Sequence, residues 1–142
     1  MGIFNFGRRP KYGNKKVEYN GMVFDSKKER DRYIVLVDAQ ERGEISHLET
    51  QVKYVLIDAI REEYEVQLKT KTVTKTRTIQ KAITYTADFR YYHNGREEWV
   101  VSDVKASPKQ AALDKCYVLK EKMMLALKGI RINRVYKANA EV

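Results

Sequence analysis

Cysteine is nearly absent from this chain. A single residue, Cys116, among 142 excludes an internal disulfide and suits a reducing cytosol. Histidine is almost as scarce: with two of them, a structural zinc site has too few ligands. No apolar run approaches the roughly 20 residues that a membrane helix needs, and the N-terminus lacks the apolar segment of a signal peptide. There is no internal repeat and no linker-like stretch to divide the chain. Acidic residues are in the minority, 19 against 28 Lys and Arg, which leaves a net charge of +9. These absences predict a soluble, cytoplasmic protein of one domain. At 142 residues, 43% hydrophobic and 33% charged, such a domain buries about two-thirds of its unfolded surface. The excess of positive charge points to a polyanionic partner, most simply nucleic acid, against the alternative of a basic but indifferent surface.

The stretch that organises the rest is Thr84–Ala106. Asn94-Gly95 between two runs rich in Tyr, Phe, Trp and Val predicts a hairpin with a two-residue type I′ turn. His93 then pairs with Arg96, Thr86 opposes Asp103 and Thr84 opposes Lys105. Asp88, Asp103 and Lys105 share one face, with the two acids as diagonal neighbours about 7–8 Å apart at Cα. Two carboxylates in that arrangement can converge on a hard cation such as Mg²⁺, which polarises a phosphodiester and acidifies a bound water, while a lysine orients the water or balances charge. An ordinary solvated hairpin face is the alternative. Trp99 and Val101 on the same face cover it in part, and a carboxylate among apolar neighbours needs a partner.

From the N-terminus, residues 1–20 read as a basic arm. Arg8, Arg9, Lys11, Lys15 and Lys16 can lie on phosphates and Tyr12 can stack on a base; a solvated tail is the competing reading. A single domain is expected over 21–142. After the Asn20-Gly21 turn, Ser26-Lys27-Lys28-Glu29 fits a capping box, opening a helix that runs to about Arg42 with Gly43 as terminator. Its inward stripe is expected to hold Tyr33, Leu36, Val37, Gln40 and also Glu29, whose carboxylate can cap the helix, bind a metal, or both. Ile45–Ile57 reads as extended chain.

Beyond Tyr64, threonine alternates with cationic residues. Lys69, Lys71, Lys75 and Arg77 predict an exposed ribbon, either a DNA-backbone contact or a solvated edge whose lysines prevent aggregation. No Gly or Pro marks its turn. After the hairpin, Ser107 as N-cap and Pro108 at N1 open a helix expected to reach Lys128, with Gly129 as its stop. Leu113, Cys116, Tyr117, Lys120, Met124 and Leu127 form its expected inward stripe, and Lys120 either snorkels or points toward the acids. A last strand lies within Ile130–Tyr136, and the tail from Lys137 is expected to fray.

An inward Glu29 on a helix, then strands, then Asp88 and Asp103-Val104-Lys105 on a hairpin, then a helix and a strand, is an order that resembles the PD-(D/E)xK nuclease superfamily. Phe24-Asp25-Ser26-Lys27-Lys28-Glu29, Ala87-Asp88-Phe89-Arg90-Tyr91 and Asp103-Val104-Lys105 look like the small phage-encoded endonucleases related to Holliday-junction resolvases. Ala87 stands where the superfamily name has Pro, and the Thr/Lys ribbon has no counterpart there. The resemblance implies an α/β (α+β) fold with a restriction-endonuclease-like core: a central mixed β-sheet flanked by helices, here with an extended basic ribbon. It implies a metal site from Glu29, Asp88, Asp103 and the Val104 carbonyl, with Lys105 as the catalytic lysine. It also implies Mg²⁺, with Mn²⁺ as a substitute, and a homodimer that cuts branched DNA. A phage-encoded enzyme of this kind works in the cytoplasm of a bacterial host. A DNA-binding recombination accessory without catalysis, and a nuclease acting on linear duplex, are the alternative functions.

Overall fold

The computed structural model describes residues 15–142. Arg8, Arg9 and Lys11 lie outside the described residues. Lys15 and Lys16 are exposed, and the residues after them, read with the basic arm, already belong to the fold. Strand β1 (Val17–Tyr19) pairs with β2 (Met22–Phe24) across Asn20 and Gly21, both at positive φ.

Helix α1 (Lys27–Glu41) starts on Ser26, whose Oγ accepts from the Glu29 N–H at 3.2 Å, and ends at Gly43 with φ +79°, the left-handed terminator that a residue without Cβ adopts at little cost. Its buried stripe differs from expectation. Glu29, Arg32, Leu36 and Ala39 face inward, whereas Tyr33 and Val37 are half-buried and Gln40 is exposed. Fully buried Arg32 ties down the tail that was expected to fray. Its guanidinium donates to the carbonyl oxygens of Ala138 at 3.1 Å, Glu141 at 3.2 Å, and Ala140, so the tail supplies the acceptors that a buried cation requires.

The central sheet is mixed. In space β3 (Ile45–Ile57), β6 (Ile83–His93), β7 (Glu98–Val104) and β8 (Ile132–Val135) lie in that order, antiparallel except for the parallel β7–β8 pair. The chain between β7 and β8 forms two helices, α2 (Pro108–Leu113) and α3 (Lys115–Lys128), instead of one. Ser107 caps the first as expected. Asp114, at ψ 86°, leaves helical geometry, and its carboxylate accepts from the Tyr117 N–H at 3.1 Å to start the second. An aspartate that can cap offers the backbone an alternative to a continuous helix. The break also turns Leu113 and Cys116 outward. They and Leu127 are exposed, while Tyr117 and Met124 are buried and Lys120 is half-buried.

The helices cover opposite faces. Val100 packs in the cluster with Leu36 and Ala39 of α1, and adjacent Val101 packs with Met124 of α3; successive strand residues point to opposite sides. Strand β6 does not keep to one side. Tyr85 and Ala87 join the α3 cluster, and Phe89 and Tyr91 join the α1 cluster. The exchange occurs at Asp88, where the β3–β6 ladder lacks a pair opposite Gln51, itself at φ +52°.

The predicted hairpin forms with a different turn. His93 pairs with Glu98, so the connection is the four residues Asn94–Glu97, with Glu97 at φ +54°. Asn94 is engaged elsewhere: its N–H donates to Glu44 O at 3.0 Å and its Nδ2 to Gly43 O at 2.9 Å. Docking against the end of α1 replaces the I′ turn that Asn-Gly favours alone. The pairings of Thr86 with Asp103 and Thr84 with Lys105 therefore do not form. The Phe89–Ser102 pair, extended by one residue, sets Asp88 opposite Asp103 instead of diagonal to it.

The ribbon is a separate two-stranded sheet of β4 (Ile60–Gln67) and β5 (Thr72–Gln80), turned at Leu68–Lys71 and almost wholly exposed. Glu62 faces Arg77 and ion-pairs with it. The cationic character of β5 is thus offset by its partner strand, which carries Glu62, Glu63 and Glu65.

Candidate active site

Three elements supply the predicted acids, of which Asp88 and Asp103 share a cleft that Glu29 does not line. The first turn of α1 supplies buried Glu29, β6 supplies half-buried Asp88 and β7 supplies buried Asp103. The two aspartates cross-link the point at which the β6–β7 ladder ends. The Asp88 N–H donates to Asp103 Oδ1 at 3.0 Å, and the Val104 N–H donates to Asp88 Oδ2 at 2.8 Å. Side-chain oxygens thus stand where strand carbonyls would continue the sheet. Val104, expected to offer its carbonyl, engages the site here through its N–H. Asp103 Oδ2 accepts from the Tyr85 hydroxyl at 2.5 Å, a contact made possible by the exchange of faces along β6.

Glu29 serves the helix start with its N–H and the site with its carboxylate. Its Oε1 accepts from Gln51 Nε2 at 2.9 Å; the return bond to the Ser26 N–H that would complete a capping box is not formed among the described residues. The left-handed backbone of Gln51 places this amide beside the break in the β3–β6 ladder.

Burial and mutual repulsion dominate the electrostatics. Loss of water, then the Asp25 and Asp103 carboxylates, push the Glu29 carboxyl up to about 7. Burial likewise raises Asp88, with Asp103 and then Glu29 adding to the shift, and burial raises Asp103. Lys105 opposes the shift at both aspartates. Its Nζ stands 3.8 Å from Asp103 Oδ2 and 3.6 Å from the centre of the Tyr117 ring. A cation held between a carboxylate and an aromatic face is fixed without a dedicated hydrogen bond. Tyr117 is itself anchored, donating to Glu121 Oε2 at 2.9 Å, and Arg134 grips Glu121 through two bonds of 2.7 Å.

Asp88, Asp103, Lys105, Tyr117 and Lys120 line one open cleft of about 430 Å³, so Lys120 stands with the acids. Among the described residues no three His, Cys, Asp or Glu side chains form a ready-made metal cage; several of the acid oxygens are taken by Gln51, Tyr85 and backbone N–H groups. The donor set nevertheless fits a hard divalent cation: buried carboxylates that raise one another's proton affinity are oxygen ligands short of positive charge. Lys69, Lys71, Lys75 and Arg77 sit on the ribbon, outside this cleft. Gln51 and Tyr85 were not foreseen as site residues, because the kink that directs them leaves no mark in residue type. Tyr117 was expected on the inward stripe, and only its place over Lys105 is new.

The family described as "Protein of unknown function (DUF1064)" matches residues 9–139, and the chain belongs to it. No curated protein and no solved structure matches the chain.

Proposed function

We propose that this member of the DUF1064 family is a metal-dependent endodeoxyribonuclease on a restriction-endonuclease-like core, related to the PD-(D/E)xK nucleases and acting on branched DNA as a homodimer. The observation that carries this reading is the cross-linked pair Asp88 and Asp103 of β6 and β7, with Glu29 of α1 near enough for its charge to add to the Asp88 shift and Lys105 held 3.8 Å from Asp103. Glu29, Asp88, Asp103 and the Val104 carbonyl would hold Mg²⁺, or Mn²⁺ in its place. The ion when bound supplies Lewis acidity toward water and the phosphodiester. The chain itself does the positioning. Gln51 orients Glu29, Tyr85 orients Asp103, and backbone N–H groups fix the aspartate planes. Tyr117 keeps the Lys105 ammonium at the mouth of the acid cluster, where it offsets charge developing on a phosphate. Lys120 adds a second cation on the same side of the cleft. The core architecture is compatible with this reading: a mixed sheet covered by helices on both faces, with the acids where two of its strands part.

A DNA-binding module without catalysis is the second reading. It is favoured by the internal hydrogen bonds that the acids accept, which are what purely structural buried carboxylates make. Incubation with a four-way junction and with matched linear duplex separates the two. Cleavage of the junction with Mg²⁺ and none with EDTA is expected. Binding without cleavage under both conditions would leave the binding module, and equal cleavage of the duplex would remove the preference for branches.

A further inference from the structure

A second cleft, of about 880 Å³, opens at the hairpin end of the sheet, lined in part by Tyr54, Arg90, Arg96, Trp99 and Arg131. Trp99 is the chain's only tryptophan and remains 49% exposed although Val100 and Val101 beside it are buried. Leaving so large an apolar ring in water forgoes burial energy, and its surroundings look prepared for a ligand. The Arg90 guanidinium lies 4.3 Å from the indole centre, and Tyr92 meets the indole edge-on at 5.5 Å. His47 approaches within 5.9 Å. It does so from an irregular stretch of β3, between Ser46 and Glu49, in which its own φ is +55°. Backbone held in that region by a histidine is costly and tends to mark sites of use.

Three arginines line the cleft, Arg90 on the ring itself, together with the acids Glu98 and Glu141. Arg131 is exposed and forms no ion pair among the described residues, while Arg96 pairs with Glu98 at 2.7 Å and Arg90 with Glu49 at 3.4 Å. The Arg96–Glu98 pair is solvent-facing and Arg90 is half-buried, with Arg96 also donating to Val142 O at 3.1 Å; ion pairs this exposed are weak, so exchanging a carboxylate for a phosphate costs little. A pair of tyrosines lies between this cleft and the acids. Tyr54 on its wall stacks on Tyr85, with ring centres 6.5 Å apart, and Tyr85 is the residue that donates to Asp103. Along β7, Trp99 and Asp103 are separated by about 13 Å, four residues of strand on the same face.

We propose that this cleft binds an unpaired stretch of DNA, one base stacking on Trp99 and the flanking phosphates taking Arg90, Arg96 and Arg131. The choice of ligand rests on the nuclease reading and narrows it: the substrate carries a single-stranded or splayed segment close to the bond that is cut. An aromatic platform set among arginines binds single strands with little sequence preference, whereas an intact duplex hides its base faces from such a platform.

The test uses the full chain in EDTA, so that binding is read without cleavage. Fluorescein-labelled oligo-dT of 12 nucleotides gives the affinity by polarisation, and Trp99 emission reports contact with the unlabelled strand. Quenching is expected, with Trp99→Ala weakening binding about tenfold and Trp99→Phe restoring most of it. Arg131→Ala should lower the log–log salt slope by roughly 0.7. Blunt duplex should leave the emission unchanged, and an abasic strand should bind more weakly than oligo-dT. The proposal is overturned if the strand does not bind, if duplex or abasic strand quenches equally, or if Trp99→Ala binds like the parent. A protein that binds through Trp99 yet never cuts with Mg²⁺ keeps the cleft and loses the nuclease.

Discussion

A carboxylate that loses water and gains a like-charged neighbour holds its proton more tightly, and Glu29, Asp88 and Asp103 are all in that position. The consequence for stability has a definite sign. The Glu29 pKa is raised in the folded state from 4.5 to about 7. The favourable contribution is therefore fully present below about 4.5, and it is lost as pH rises through about 7, with both aspartates shifting in the same direction. The metal-free protein should melt at a lower temperature at pH 8 than at pH 5. Mg²⁺ held by these acids, as proposed, should recover much of the loss at pH 8, since a ligand of the folded state alone stabilises it, and Asp88→Asn should remove most of that recovery. Equal melting at both pH values in EDTA would deny the repulsion. The residue types of this cluster were legible in the chain: an acid in a capping position and a D-x-K on a hairpin. Arg32 was not read as inward, although it lies three residues after Glu29 and four before Leu36, on the same helical stripe. Its role was not legible, because its acceptors are carbonyl oxygens of the distant chain end, which no local pattern encodes.

At the level of elements, caps were readable and pairings were not. Ser26, Gly43, Ser107 and Gly129 act through neighbours in sequence and cap helix ends as expected, although Ser107 and Gly129 bound two helices instead of one because Asp114 caps a second. The Asn94-Gly95 turn was displaced because Asn94 is recruited by Gly43 and Glu44, a tertiary contact that overrides local preference. Shifting the register by two residues preserves faces, and this is why the acids still meet. The ribbon gives the opposite lesson. Its cations were visible, but Lys69 and Lys71 fall in the turn, while the strand opposite Lys75 and Arg77 carries Glu62, Glu63 and Glu65, and Glu62 engages Arg77. Replacing Lys69, Lys71 and Lys75 by Ala should therefore flatten the salt dependence of DNA binding, by roughly 0.9 in log–log slope for each phosphate no longer neutralised. Arg77→Ala should alter it little. An unchanged slope in the triple variant would show that the ribbon does not touch phosphates.

For the whole molecule, the net charge of +9 and an acid cluster flanked by Lys105 and Lys120 are complementary features: cations draw in a polyanion that a metal-free acid cluster alone would repel. A four-way junction needs two symmetric cuts, and each chain carries one such cluster, so the active species is expected to be a C₂ dimer. Ile34 and Val35 of α1 lie along an open groove beside Tyr19 and Tyr33, a surface suited to an isologous contact. Light scattering should give twice the 16.7 kDa of the chain, and a monomer both free and with junction DNA would argue against junction resolution. The proposed cleavage depends on the carboxylates. The most direct measurement compares the parent with Glu29→Gln, Asp88→Asn and Asp103→Asn on one labelled junction, scoring cleavage in Mg²⁺ and binding in EDTA. The predicted result is cleavage by the parent alone, with activity in each variant lower by about 100-fold or more and binding retained or tightened. Undiminished cleavage by the aspartate variants, or an inactive parent that binds the junction well, would contradict it.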